Sequence, residues 1–172
     1  LVCVPLLMFG NEEQKRRYLT PLAEGKMLGA FGLTEPQAGS DAGATRTAAV
    51  RDGNEFVING QKVFTTNGSI AGVIIVTAVT DPEAGRRGIS NLIVPADAPG
   101  VSFGQDQEKM GLHGSVTSQV YFQDCRVPVE NLLGRPGEGF KQFLQVLDGG
   151  RIGIGAMSVG IAQAALRAAR NY

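Results

Sequence analysis

The chain opens on an apolar run, Leu1–Phe9, and turns polar at Gly10-Asn11. Asn11 suits an N-cap, Glu12 and Glu13 fill a first turn, and Lys15, Arg16 and Arg17 follow, which is the charge order a helix dipole favours. A short helix is predicted here, ended by Pro21 near Leu19. Gly25 predicts a turn into an apolar approach, Met27–Leu33, that stops at Thr34-Glu35-Pro36. Beyond Thr47 the pattern becomes that of short strands. Asp52-Gly53 separates Ala48–Val50 from Glu55–Ile58, and Asn59-Gly60 separates that run from Lys62–Thr66; both dipeptides predict hairpin turns. Val73–Thr80 is a β-branched run long enough for a buried strand, Asp81–Gly88 a polar loop, and Ile89–Val94 a further strand. Val116, Ser118, Val120 and Phe122 alternate with Thr117, Gln119, Tyr121 and Gln123, the signature of a half-buried strand. After Pro136 the spacing turns helical: Phe140, Phe143, Leu144 and Leu147 share one face, and Ile154, Met157, Ile161, Ala165 and Leu166 another. Gly149, Gly150, Gly153 and Gly155 lie between them at about 1 kcal/mol each against alanine, which predicts a helix break or a close helix–helix contact.

Helix, strands, helix is the resulting order, and many strands with short turns and no intervening helix imply a sandwich or barrel. The fold class is therefore α+β: an antiparallel β-barrel or sandwich over residues 25–134, preceded by the end of a helical domain (1–24) and followed by the start of another (135–172). Leu1–Phe9 is too short to span a bilayer and lacks a basic flank, so it reads as the tail of a helix; Asn171-Tyr172 closes a helical pattern without a stop signal. A longer protein is expected on both sides. Sixteen basic and sixteen acidic residues give zero net charge with no run of one sign, which disfavours nucleic acid and anionic membrane as partners. Cys3 and Cys125 have neither metal-type spacing nor the number for a disulfide framework, and fit a reducing compartment. No G-x-G-x-x-G follows a strand, and no phosphate-binding G-x-x-x-x-G-K is present.

The richest stretch chemically is Gly32–Ala44. Pro36 ends the strand, Gly39 lets a ligand approach the backbone closely, and Thr34, Ser40 and Asp41 set short polar side chains beside free backbone N–H groups, suiting a phosphate or a polar ring edge. The run Leu33-Thr34-Glu35-Pro36, Gly39-Ser40-Asp41 and Ala42-Gly43-Ala44 resembles the first signature of the acyl-CoA dehydrogenase family. The resemblance continues, in the family's order, through Lys62–Asn67, Lys109–Ser115, Phe122–Pro128 and Leu147–Ile152, across essentially the whole chain.

What the resemblance implies is FAD chemistry on an acyl-CoA thioester, most closely of the short-chain type. Leu33 and Thr34, through backbone N–H groups and the Thr34 hydroxyl, match the residues that hold the flavin pyrimidine edge. Phe31 and Thr65 belong to the same cofactor-facing set. Phe64 stands where a tryptophan is usual against the flavin, keeping the aromatic face without the indole N–H, and Thr66 matches a threonine near N5. Ser40 matches a serine near the pyrophosphate and the thioester, and Asp148 and Arg151 match residues that contact CoA. Glu35 is expected to be a structural hydrogen-bonding group, and His113, the only histidine, a structural loop residue. Family members carry the catalytic glutamate either one residue before the arginine matched by Arg151 or in a C-terminal segment. Gly150 occupies the first place, so no catalytic residue is assigned here and the base is expected beyond Tyr172, favouring a short straight-chain substrate. The implied partners are an acyl-CoA, an electron-transfer flavoprotein and further copies of the chain in a tetramer or dimer, with no metal and no membrane span, in a bacterial cytoplasm or mitochondrial matrix. An acyl-CoA oxidase, or a non-catalytic FAD-binding or assembly module, are the alternative readings.

Overall fold

A computed structural model describes residues 1–172. The N-terminal helices are α1 (Cys3–Phe9), α2 (Glu12–Gln14) and α3 (Thr20–Ala23), the last two joined by a π-helical turn, Lys15–Leu19. Asn11 and Gln14 form a reciprocal capping box, Gln14 N–H donating to Asn11 Oδ1 at 2.8 Å and Asn11 N–H to Gln14 Oε1 at 3.1 Å. Pro21 does not end this helix. The preceding turn widens, with the Thr20 N–H donating to the Lys15 carbonyl, and the ring enters α3 in its first turn, where it displaces no helical hydrogen bond.

Seven strands follow: β1 (Gly29–Gly32), β2 (Ala48–Asp52), β3 (Glu55–Thr66), β4 (Val73–Val79), β5 (Ile89–Pro95), β6 (Val101–Phe103) and β7 (Thr117–Pro128). They form one curled sheet in the order β1-β4-β2-β3-β7-β6, with β5 on β4. Four pairings are antiparallel, as the turn signals predict. Two depart from the antiparallel expectation: β1 runs parallel to β4, and β2 meets β4 through the single parallel pair Ala48↔Val79. The β2–β3 hairpin is inserted between β1 and β4 in sequence, so β4 returns in the direction of β1. No α-helix interrupts residues 29–128.

The β4 sequence is apolar without alternation because both its faces are covered. Ile74, Val76 and Ala78 point into the inside of the curl with Ile58, Leu92, Val94, Val120 and Phe122. Val73 and Ile75 point the other way, into a second core with Val2, Leu6, Tyr18, Ile93 and Leu133. Asn59-Gly60 does not make a hairpin. β3 runs through it, because β7 pairs on both sides, Ile58↔Cys125 and Gly60↔Phe122, around a register shift. A side chain at Gly60 would lie within 2.6–2.9 Å of Thr47, and Asn59 spends its amide on Asp124, bonding both its side chain and its N–H.

The last element, α4 (Gly139–Arg170), is one uninterrupted helix of 32 residues. Gly149, Gly150, Gly153 and Gly155 therefore neither break it nor pack another helix of this chain. Its first turns are buried through Gln142, Phe143 and Val146, whereas residues 151–172 are exposed throughout. By length and composition α4 would suffice to cross a membrane.

Because Ile74 has no exposed surface and packs within the inner core, Ile74→Ala is expected to lose about 2–5 kcal/mol of unfolding free energy. Urea denaturation measures this; a loss below about 1 kcal/mol would show that the inner face of β4 is not the core described.

Candidate functional site

The site starts where β1 runs out. Glu35 and Ala38 exchange backbone hydrogen bonds of 2.9 and 3.0 Å across a tight turn holding Pro36, and this turn drives the Glu35 side chain inward. There its carboxylate accepts from Lys62 Nζ at 2.7 Å, Arg46 N–H at 2.7 Å, Thr47 N–H at 3.0 Å, Gln37 Nε2 at 2.5 Å and the Thr45 hydroxyl. Lys62 reaches it from β3 and is completely buried, 0% exposed against 3% for Glu35. Its ammonium donates to three acceptors, the Leu33 carbonyl (3.3 Å), Glu35 Oε1 and the Thr45 hydroxyl (3.1 Å), which matches its three protons. The Lys62 stem lies against Gly32, where a Cβ would approach its Cγ to 3.0 Å. Val63 N–H adds a bond to the Thr34 carbonyl at 2.8 Å. Both ends of the loop, 33–35 and 45–47, are thus tied to one carboxylate.

Burial by itself raises the Glu35 carboxyl, but the Lys62 charge and the hydrogen bonds from Lys62, Thr45 and Arg46 outweigh it and hold the group at about 2, against an ordinary 4.5. Burial draws the Lys62 ammonium down to about 8, with Glu35 acting in the opposite sense. The two shifts do not mirror each other, because Glu35 is also held by donors that lend Lys62 nothing. Three acceptors around Nζ favour an ammonium at neutral pH.

The other face of the loop is left free. Neither the Leu33 nor the Thr34 N–H, nor the Thr34 hydroxyl, bonds to anything in the chain. Beside them β3 carries a bulge: Lys62 pairs with Val120 and Thr65 with Ser118, so two residues of β3 stand opposite one of β7. Phe64 lies in this bulge with φ +54° and is 64% exposed. In a regular strand Phe64 would share the buried face of Lys62; the bulge turns it out. Three unpartnered donors beside an outward aromatic face fit a planar heterocycle with acceptors along one edge, which is what the flavin of FAD presents. Thr66 is exposed and lines an apolar pocket with Val2, Leu22, Met27 and Leu28. Thr65 faces inward, its hydroxyl buried without a partner like that of Ser118, and Phe31 packs toward the second core; neither side chain reaches the free face.

A groove of about 320 Å³ lies between the loop and α4. Leu33, Ser40 and Asp41 form one wall, Phe140, Leu147 and Arg151 the other, with Arg86 at the rim. Ser40 and Arg151, far apart in sequence, meet here, and Leu33 belongs both to the groove and to the free edge. Asp148 does not line the groove; it holds Arg151 at 2.8 Å. His113 lines a separate polar cavity with Asp106, Lys109 and Ser115. Each carboxylate near the groove has a cationic partner: Glu35 has Lys62, Asp41 has Arg86 at 3.5 Å, and Asp148 has Arg151. Lys62, Thr45 and Arg86 are the residues the sequence reading left without a role. A lone lysine on an otherwise apolar inward phase of β3 was the available signal for the first.

This curled mixed sheet, with its cinched loop and helix-walled groove, is an acyl-CoA dehydrogenase middle domain by comparison as well as by geometry. Residues 30–125 match the family described as "Acyl-CoA dehydrogenase, middle domain". The chain belongs to the acyl-CoA dehydrogenase family. It is 57% identical to "Probable acyl-CoA dehydrogenase YngJ" of Bacillus subtilis strain 168 over 98% of this chain and 44% of that protein. It superposes on butyryl-CoA dehydrogenase from Megasphaera elsdenii with a TM-score of 0.96 at 47% identity, covering 100% of this chain and 45% of that one. A chain from a study of the electron transferring flavoprotein of Acidaminococcus fermentans gives a TM-score of 0.95 at 52% identity, over 99% and 45% of the two chains. This chain therefore spans less than half the length of the relatives it matches.

Lys62→Met strands a buried carboxylate and should destabilise the protein by about 3–5 kcal/mol, while Glu35→Gln combined with Lys62→Met recovers most of that loss. The folded Glu35 value lies below the unfolded one, so its contribution is full above about pH 4.5 and disappears as pH falls toward about 2. Denaturation of both variants and the parent across that range reads both effects. Equal losses in the single and double variants, or no acid-side difference from the parent, would dismiss the pair as the fastening.

Proposed function

We propose that the full-length protein is an FAD-dependent acyl-CoA dehydrogenase, acting on a short straight-chain acyl-CoA and passing electrons to an electron-transfer flavoprotein. The observation that carries this is the edge of free donors at Leu33 and Thr34, set beside the outward Phe64 and shared through Leu33 with the Ser40–Arg151 groove. Leu33 N–H, Thr34 N–H and the Thr34 hydroxyl hold the flavin edge; Phe64 covers a ring face from β3; Thr66 lies nearby. Ser40 and Arg151 bind the thioester along the groove, and Asp148 orients Arg151. When bound, FAD supplies the acceptor for the two electrons that leave as the α,β-bond is desaturated.

A base must take the α-proton. Glu35 is committed to Lys62 and held far below neutral pH, Asp41 and Asp148 are paired with arginines, and Gly150 has no side chain. We assign the base to a glutamate elsewhere in the longer protein. The apolar face of α4, with Ile154, Met157 and Ile161 exposed, fits a C-terminal helical domain beginning near residue 135, and assembly into a dimer or tetramer accords with so much uncovered surface. Cys3 and Cys125 are both free, which fits a reducing bacterial cytoplasm or mitochondrial matrix.

Thr34→Val removes one donor and leaves a polar ring edge unsatisfied, so FAD retention in the full-length protein should weaken by about 1–3 kcal/mol. Equilibrium dialysis measures it, and an unaltered affinity would remove Thr34 from the cofactor site.

The function itself is tested by mixing butyryl-CoA anaerobically with FAD-loaded protein. The full-length protein should bleach the visible flavin band; residues 1–172 with FAD should not. Bleaching by residues 1–172 would place a base within this chain, and no bleaching by the full-length protein would overturn the dehydrogenase reading.

A further inference from the structure

The Leu33–Thr34 peptide is bonded on one side only. Its oxygen, the Leu33 carbonyl, accepts from Lys62 Nζ at 3.3 Å, and its N–H, on Thr34, has no partner in the chain. The next peptide is engaged at both ends: the Thr34 carbonyl accepts from Val63 N–H at 2.8 Å, and Glu35 N–H donates to the Ala38 carbonyl at 2.9 Å. The charge behind the free N–H is a buried one, with little water to screen it. Glu35 Oε1 stands 2.7 Å from the same ammonium, and both side chains are almost wholly buried. The pair is therefore a fixed dipole whose positive end rests on one peptide oxygen. An ammonium on a carbonyl draws electron density through the amide and makes its N–H a stronger donor, the cooperativity of hydrogen bonds in series.

We propose that Lys62 acts on the bound flavin through this peptide, as a positioning residue that strengthens the Thr34 N–H toward the pyrimidine edge and raises the cofactor's reduction potential. On gaining two electrons and one proton a flavin ends one negative charge richer, and its pyrimidine edge carries much of that charge. A donor already polarised and aimed there stabilises the reduced form more than the oxidised one. The fastening of the loop and the tuning of the cofactor are then two effects of one buried cation. This inference rests on the FAD reading above.

The test uses the full-length flavoprotein and its Glu35→Gln/Lys62→Met variant, in which an amide at position 35 still accepts from Thr45, Arg46 and Thr47 while the Leu33 carbonyl loses its cation. The potential is measured by stepwise dithionite reduction against an indicator dye, and the affinity for oxidised FAD by equilibrium dialysis. The ratio of reduced to oxidised affinity should fall about three- to tenfold in the variant, which for a two-electron couple lowers the potential by roughly 14–30 mV. Glu35→Gln/Lys62→Gln, which returns an uncharged donor to the same place, should show the same fall and serves where the methionine variant does not fold. Thr45→Val loosens the fastening but leaves the ammonium on the Leu33 carbonyl, so it should weaken FAD without moving the potential. A potential unchanged in the folded, flavin-loaded double variants, or lowered as far by Thr45→Val, makes Lys62 a fastening alone and overturns the proposal. A parent protein that holds no FAD overturns the flavin reading beneath it.

Discussion

A lysine and a glutamate with almost no exposed surface hold the site together. Removing two charges from water costs several kcal/mol per ion, and an apolar pair of the same volume would often be at least as stable. Lys62 and Glu35 give what apolar contacts do not, which is direction. Lys62 fixes the Leu33 carbonyl from below, and Glu35 gathers the hydroxyl of Thr45 and the N–H groups of Arg46 and Thr47. A loop of small residues has little side-chain surface with which to order itself, and its backbone entropy must be offset somewhere. Here it is offset at both ends by one carboxylate. The consequence appears on the opposite face, where the Leu33 and Thr34 N–H groups stay free because their carbonyls are already held.

The bulge in β3 follows from the same constraint. Strand alternation would put Phe64 on the side of Lys62, yet the lysine must point in and the aromatic ring out. An extra residue between Lys62 and Thr65 resolves the conflict, with Phe64 taking a positive φ that a bulky side chain rarely adopts. Strain of this kind persists where the surroundings over-determine it. Lys62, bonded to three acceptors, and Thr65, paired with Ser118, are those surroundings. The buried pair and the exposed ring are two results of one irregularity in one strand.

Much of this was legible in the sequence. Asp52-Gly53 is the β2–β3 turn, with Gly53 at φ +60°; Val73–Thr80 and Ile89–Val94 are β4 and β5; and the alternation from Val116 to Gln123 matches the burial along β7. Glu35 was read as a structural group, which its five hydrogen bonds bear out. What misled were local signals overruled by distant partners. Asn59-Gly60 has the composition of a hairpin turn, but a twelve-residue partner strand, β7, extends past it. Pro21 has the composition of a helix end, but a π turn ahead of it removes the clash. The parallel pairing of β1 with β4 leaves no trace in β4, since a strand buried on both faces reads the same in both orientations. Lys62 and Arg86 stayed silent because what they do depends on residues 27 and 45 positions away.

The second wall of the groove has its own buried polar fastening. Thr77 on β4 donates to Asn91 on β5, Asn91 donates to Gln142 on α4 at 2.9 Å and to the Gly139 carbonyl at 3.2 Å, and Gln142 donates to the Leu133 carbonyl at 3.0 Å. Gly139 lets the helix start directly against the Ser90–Asn91 backbone, where a Cβ would lie within 2.5–2.8 Å. The need for such precision comes from leverage. Arg151 stands nine residues beyond Gln142, about 14 Å along the axis at 1.5 Å per residue, so a tilt of about 10° at the anchor would carry it roughly 2 Å across the groove. Apolar packing of Phe143 and Val146 alone resists separation better than it resists sliding or tilting, whereas a chain of directional bonds resists all three. The loop wall and the helix wall are therefore each set by their own buried polar network, and the distance between Ser40 and Arg151 is fixed by the sheet that carries both.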